Sequence, residues 1–276
     1  IAEAEALFTK HGLNVDLVTF ATDEEVYAAL AEGRIQAANA GNYSAFHWAN
    51  EGLDLQIVML EDASYGADAI VAPQALTSVQ DLAGLRIAYE PKSVSQVLLN
   101  YALQQQGLSP ADIHPVHVAA AEAGAALLRG EADAAVTYEP FLSQVLAADS
   151  GLHKVFTAQE HPGLITDILV VESGYLAQNA ATVRALLQVW DEAVDFYQDN
   201  PDQAIAIVAE AMGGDPAEIR AAFAGVEFFD LVDNQEFFTD AFQATLADGA
   251  HVARSVGLLE RMPDLDRLLA PQYVRE

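Results

Sequence analysis

The chain has 276 residues, 52% of them hydrophobic, with 12 basic against 41 acidic side chains, a formal net charge of −29 and no cysteine. That apolar fraction supports a sizeable core in two domains or one large one and argues against bulk disorder. The acidic field repels phosphate backbones and anionic headgroups, which argues against nucleic-acid and membrane-surface partners, and the lack of thiols excludes cysteine catalysis, cysteine–zinc sites and disulfides.

In chain order, the sequence opens inside a helix that ends at Gly12, and "VDLVTF" (15–20) reads as a short strand. A helix with an Ala-Ala-Leu motif follows and stops at Gly33, where glycine takes the left-handed conformation cheaply. "RIQAANAG" then reads as a buried strand, with a helix starting at "NYS". Residues 54–72 read as strand, acidic loop, strand, and "LEDASYGADAIVA" puts Asp62 and Asp68 in the loop. After a turn and short helix at 76–82 come the strand "LRIAYEP" (85–91), a helix, and a strand at 113–118. A second Ala-Ala-Leu helix stops at Gly130, and "EADAAVTY" leads to a helix begun by Pro140. "HPGLITDILVVESGYL" holds a strand at 167–172. Helices are expected at 182–198, 201–212, 216–223 and 235–256, with a short final one in "MPDLDRLLAPQYVRE". There is no apolar run of membrane-spanning length and no signal peptide in the chain as given.

Residues 12–46 and 107–142 repeat one pattern at an offset of about 97 residues. Alternating helices and strands predict an α/β fold with parallel strands and crossover helices. The second unit is preceded by the strand 85–91, whereas the first begins in the helix, so an N-terminal strand and its loop are expected to be missing from this chain. Two lobes follow, 1–88 with 169–276 and 89–168, joined near 88–90 and 167–170. Their ligand is expected beyond the carboxyl ends of the strands.

The repeat, "GLRIAYEPKSVSQVLL", "GEADAAVTYEPFLS" and "PGLITDILVV" resemble the solute-binding proteins of ABC importers. The nearest group is the nitrate/sulfonate/taurine type, which includes pyrimidine-precursor and urea- or guanidine-associated binders. The resemblance implies a type II periplasmic-binding-protein clamshell with no catalytic role, cofactor or metal. It also implies a small-molecule ligand, the transmembrane subunits of an ABC permease as partner, a monomeric state without membrane insertion, and a periplasmic or membrane-anchored extracellular location. The ligand-lining loops it implies are 40–44, 62–68, 90–95, 137–141 and 165–167.

Within those loops Asn42 and Tyr43 offer polar and stacking groups, although Asn or Ser there equally suits a helix cap. Asp62, Ser64, Tyr65 and Asp68 are turn formers or one wall of a site. Ser93 and Ser95 open a helix whose bare N–H groups suit an anion, or Ser93 simply caps it. Tyr138 offers a stacking face that Tyr65, Tyr89 and Trp48 extend, and Glu139 is a ligand group or a first-turn helix charge. Asp62, Asp68, Glu90, Glu139 and Asp167 all fall in the candidate loops, and Lys92 is the one basic residue among them. Carboxylates facing one cleft need a cationic partner, so the expected solute is an amine, guanidinium or N-heterocycle. The alternatives are a sulfonate- or nitrate-type oxyanion, a ligand-sensing domain, or an enzyme of pyrimidine or vitamin-precursor metabolism. For the last, no phosphate-binding loop, G-x-S-x-G elbow or zinc-type histidine spacing is present; "HPVH" (114–117) is the nearest histidine cluster.

Overall fold

The computed structural model describes every residue except Pro162, Thr239 and Glu276. The chain begins with α1 (Leu7–Lys10), α2 (Asp23–Ala31), β1 (Ala37–Gly41), α3 (Asn42–Asn50) and the long β2 (Leu55–Ser64). The middle contributes β3 (Asp68–Pro73), β4 (Arg86–Tyr89), α4 (Val94–Gln105), β5 (His114–His117), α5 (Ala120–Leu128), β6 (Ala134–Tyr138), α6 (Phe141–Ala148) and β7 (Leu152–Thr157). β8 (Thr166–Glu172) then leads into α7 (Ser173–Gln178), α8 (Ala180–Asp199), α9 (Pro201–Met212), α10 (Pro216–Phe223), β9 (Val226–Phe228), α11 (Leu231–Phe237), α12 (Asp240–Ser255) and α13 (Leu265–Leu268).

Local signals explain several of these boundaries. Thr22 caps α2 by accepting the Glu25 N–H, and Asp23, Glu24 and Glu25 place negative charge on its first turn. Gly33 and Gly130, the matching stops of the repeat, sit at φ +70° and +72°, the left-handed region a helix exit uses. In place of the helix expected at 235–256 stand α11, started early at Leu231 by the capping box of Asp230 and Asp233, and α12 from Asp240.

The strands form two sheets, one of order β1-β8-β2-β9 and one of order β5-β4-β6-β3-β7. Only β5-β4-β6 is parallel; β3 and β7 join the second sheet antiparallel, and every pair in the first sheet is antiparallel. The expected parallel pairing therefore holds for half of one sheet. Because β3 and β4 share the second sheet, the chain changes sheet at 65–67, not at 88–90. It returns through 158–165, and β8 runs wholly in the first sheet.

Residues 15–20 form no strand, and Leu17 and Val18 are 63% and 57% exposed. Their counterpart β5 is held by β4. Among the described residues no strand takes the equivalent place beside β1, whose neighbour is β8.

One face of the second sheet packs under α5 and α6 on Val71, Ala135, Leu142 and Val145. Its other face shares a core with the first half: Leu98, Leu99 and Leu103 of α4 join Phe46 and Trp48 of α3 and Leu246, Ala250 and Ala253 of α12. The halves are thus joined by an apolar seam along α4 as well as by the two chain crossings.

Candidate functional site

The strand register brings the key side chains together where the chain leaves the first sheet. Asp167 stands opposite both Gly41 of β1 and Asp62 of β2. Across the crossing, Asp68 of β3 stands opposite Tyr138 of β6. The acidic segment is therefore mostly strand: only 65–67 lie between β2 and β3. β2 shifts register between Leu60 and Asp62. Such a bulge sets two residues against one on the partner strand and re-aims a side chain, here Glu61 beside Asp62.

Glu61 is 3% exposed and Asp68 9%. Burial, then the neighbouring Asp167 and Asp62, push Glu61 well above the ordinary carboxylate range. Asp62 is raised well above it by burial and then by Asp167 and Asp68, against a hydrogen bond from the Asp167 N–H. Burial and Asp167 push Asp68 up to about 7, against a hydrogen bond from Ser64. Asp167 is pushed up to about 6 by burial and Asp23. No lysine or arginine is among the groups that shift these four. The ion pairs of the described chain lie elsewhere, for example Arg86–Asp133 and Arg267–Asp54.

Tyr138 lies in the field of Glu90, Asp68, Asp167 and Asp23, which with its burial raises its hydroxyl to about 12. Its ring meets Phe141 edge-on at 5.4 Å, and the residue is 38% exposed.

The other expected residues are engaged structurally. The Asn42 side chain accepts the Tyr43 N–H at 2.8 Å and donates to the Leu164 carbonyl at 3.2 Å. Tyr43 is 2% exposed and its hydroxyl donates to the Leu258 carbonyl, so it offers no stacking face. Ser64 accepts the Asp68 N–H at 3.1 Å. Ser93 caps α4, accepting the Ser95 N–H at 3.2 Å and donating to the Glu90 carbonyl at 2.9 Å; Ser95 is buried. Both Glu139 oxygens are taken by Ser143, at 2.9 and 3.0 Å. Tyr65, 41% exposed, pairs with Glu227. Of the other proposed aromatics, Trp48 is core, and Tyr89 packs edge-on against His117 of the "HPVH" cluster.

Asp23 and Glu61 were not singled out by the sequence. The Asp23 carboxylate accepts the Ser44 hydroxyl and lies near His47. Glu61 is legible only once the bulge is known. Glu90 spans the halves: its carboxylate accepts the Asp23 N–H at 3.2 Å and the Ala120 N–H at 3.1 Å. Gly41 lets the halves approach, since a Cβ there would lie 2.4 Å from Val94 of α4. A separate groove of about 630 Å³, lined by Leu30, Asp54, Glu172 and Tyr175 among others, holds none of the candidate residues.

Residues 1–204 match the family described as NMT1/THI5 like. The chain belongs to the NMT1/THI5-like family. This NMT1/THI5-like chain is 28% identical over 211 residues to an Escherichia coli (strain K12) protein named for binding aliphatic sulfonates, covering 76% of this chain and 65% of that one. It is 27% identical over 207 residues to the taurine-binding periplasmic protein of the same strain, covering 73% of this chain and 63% of the relative. The chain thus spans less than two thirds of the length of either. Among solved structures it resembles the alkanesulfonate-binding protein SsuA of Xanthomonas axonopodis pv. citri bound to MOPS, with TM-score 0.82, 22% identity, and 97% and 92% of the two chains covered. The family's two-lobed periplasmic-binding fold is therefore the fold of this chain, and the named relatives are binding proteins. Among the described residues no helix is long and apolar enough to cross a membrane.

Proposed function

We propose that this chain is the solute-capturing component of an ABC importer, working outside the cytoplasmic membrane without catalysis. Residues 1–64 with 166–276 form one lobe and 68–157 the other, and they close on a small cationic or nitrogen-rich solute. The observation that carries this reading is the group Glu61, Asp62, Asp68 and Asp167 where the lobes meet, Glu61 and Asp68 buried and Asp62 and Asp167 half-buried, with desolvation and like charges alone raising their proton affinity. Buried carboxylates without a counter-charge are costly, and a bound ammonium or guanidinium supplies that charge. Tyr138 then presents its ring to the cation, and closure excludes water from the pair.

A second reading, an oxyanion solute, is favoured by the names of the relatives that bind sulfonates and taurine. Thermal-shift assays in sulfonate-free buffer separate the two with methylguanidine, ethylamine, an aminopyrimidine, taurine, ethanesulfonate and nitrate. Stabilisation by the cations, and by taurine only through its ammonium, is expected. Stabilisation by ethanesulfonate or nitrate with none by the cations rejects the cationic reading.

A further inference from the structure

We infer that Glu90 is a specificity-determining residue that shuts oxyanions out of the cleft by filling, with its own carboxylate, the amide donors an anion would need. The inference rests on the proposed closing of two lobes.

Helix N-termini leave their first N–H groups without intrahelical partners, and such groups attract negative charge. The two helices that meet at Glu90, α2 and α5, come from opposite halves of the molecule. At α5 the capping residue Ala119 provides no side-chain hydrogen bond, and the Ala120 N–H goes to Glu90 Oε2 at 3.1 Å. At α2 the Thr22 hydroxyl serves Glu25, leaving the Asp23 N–H to Glu90 Oε1 at 3.2 Å. One carboxylate therefore serves both helices.

It does so at the edge of the carboxylate cluster, within the field that acts on Tyr138. A sulfonate seeking the same amides would have to displace Glu90 and would still face its charge. A cation meets no such obstacle. Glu90 thereby ties the halves together with no anionic solute present and biases the cleft against one.

Isothermal titration of the 276-residue chain with sodium ethanesulfonate, and separately with methylguanidine, tests this in wild type, Glu90→Ala and Glu90→Gln. Both variants are expected to bind ethanesulfonate at least about tenfold more tightly than wild type, because the like charge is gone in both and the amides are free of a carboxylate, both of them in Glu90→Ala and at least one in Glu90→Gln. Circular dichroism identifies a variant that fails to fold, in which case the other carries the comparison. A purely structural role would weaken both probes together; the expected result is a change in their affinity ratio. Ethanesulfonate affinity equal in wild type and folded variants, or no ethanesulfonate binding by any of them, overturns the inference. Methylguanidine binding by wild type reports on the cationic reading independently: its loss leaves a gained sulfonate affinity standing, and its presence does not rescue a missing one.

Discussion

Replacing Asp68 by asparagine is expected to raise the thermal unfolding midpoint at pH 8 and to leave it nearly unchanged at pH 4. Asp68 titrates near 7 in the folded chain, against 3.8 as its ordinary value, chiefly because it is buried and next because Asp167 faces it. The folded state therefore binds the Asp68 proton more tightly than the unfolded chain does. Stability associated with this group is fully present below about pH 4 and is lost as pH rises through the folded value near 7. Above that point the folded protein carries an ionised, buried carboxylate, at a cost on the order of 4 kcal/mol. Asparagine keeps the shape and removes the charge, so its benefit appears only on the alkaline side, as a shift of roughly 5 °C or more. Differential scanning calorimetry of both proteins across pH 4–8 checks this. A variant minus wild-type difference that does not grow with pH contradicts the assignment.

Replacing Asp167 by asparagine is expected to weaken binding of a cationic solute by about a hundredfold, the loss that follows removal of a desolvated charge partner. Asp167 is the hub of the cluster: it stands opposite Asp62, and it raises Glu61, Asp62 and Asp68 alike. Its own carboxylate is held up to about 6 by burial and Asp23. The same substitution lowers the negative field, so affinity for ethanesulfonate is expected to stay level or rise. Calorimetric titration of the two solutes against the variant gives both numbers. A loss of sulfonate affinity with cation affinity unchanged contradicts the role given to Asp167.

The repeat was legible in the sequence because its punctuation is chemical. Gly33 and Gly130 hold matching left-handed exits, and the Ala-Ala-Leu helices and Ala-Ala strands between them recur as α2–β1 and α5–β6. The crossing was misplaced because β3 reads as one more apolar strand; nothing local says that it slots antiparallel between β6 and β7. The segment 15–20 has strand composition, but pairing decides whether a strand forms, and no described strand lies where β4 lies in the other half.

At the site, the run of acidic residues was visible, and Asp62, Asp68, Asp167 and Tyr138 do converge. Residues chosen for their polarity near helix starts, Asn42, Ser93 and Glu139, turn out to satisfy backbone groups or a neighbouring serine. Capping and ligand binding draw on the same side chains, and only coordinates separate them. Glu61 escaped notice because alternation along an ideal strand points it away from Asp62, and the bulge undoes that alternation.

The sign of proton exchange on solute binding tests cation capture most directly. Asp68 and Asp167, pushed up to about 7 and about 6, are partly protonated near pH 6.5, and a cation entering beside them must expel protons, whereas an anion draws them in. Titrating methylguanidine at pH 6.5 in two buffers of different ionisation enthalpy gives the number of protons exchanged. Net release that shrinks in Asp68→Asn is the expected result. Proton uptake, or binding of ethanesulfonate with uptake and no binding of methylguanidine, would contradict it.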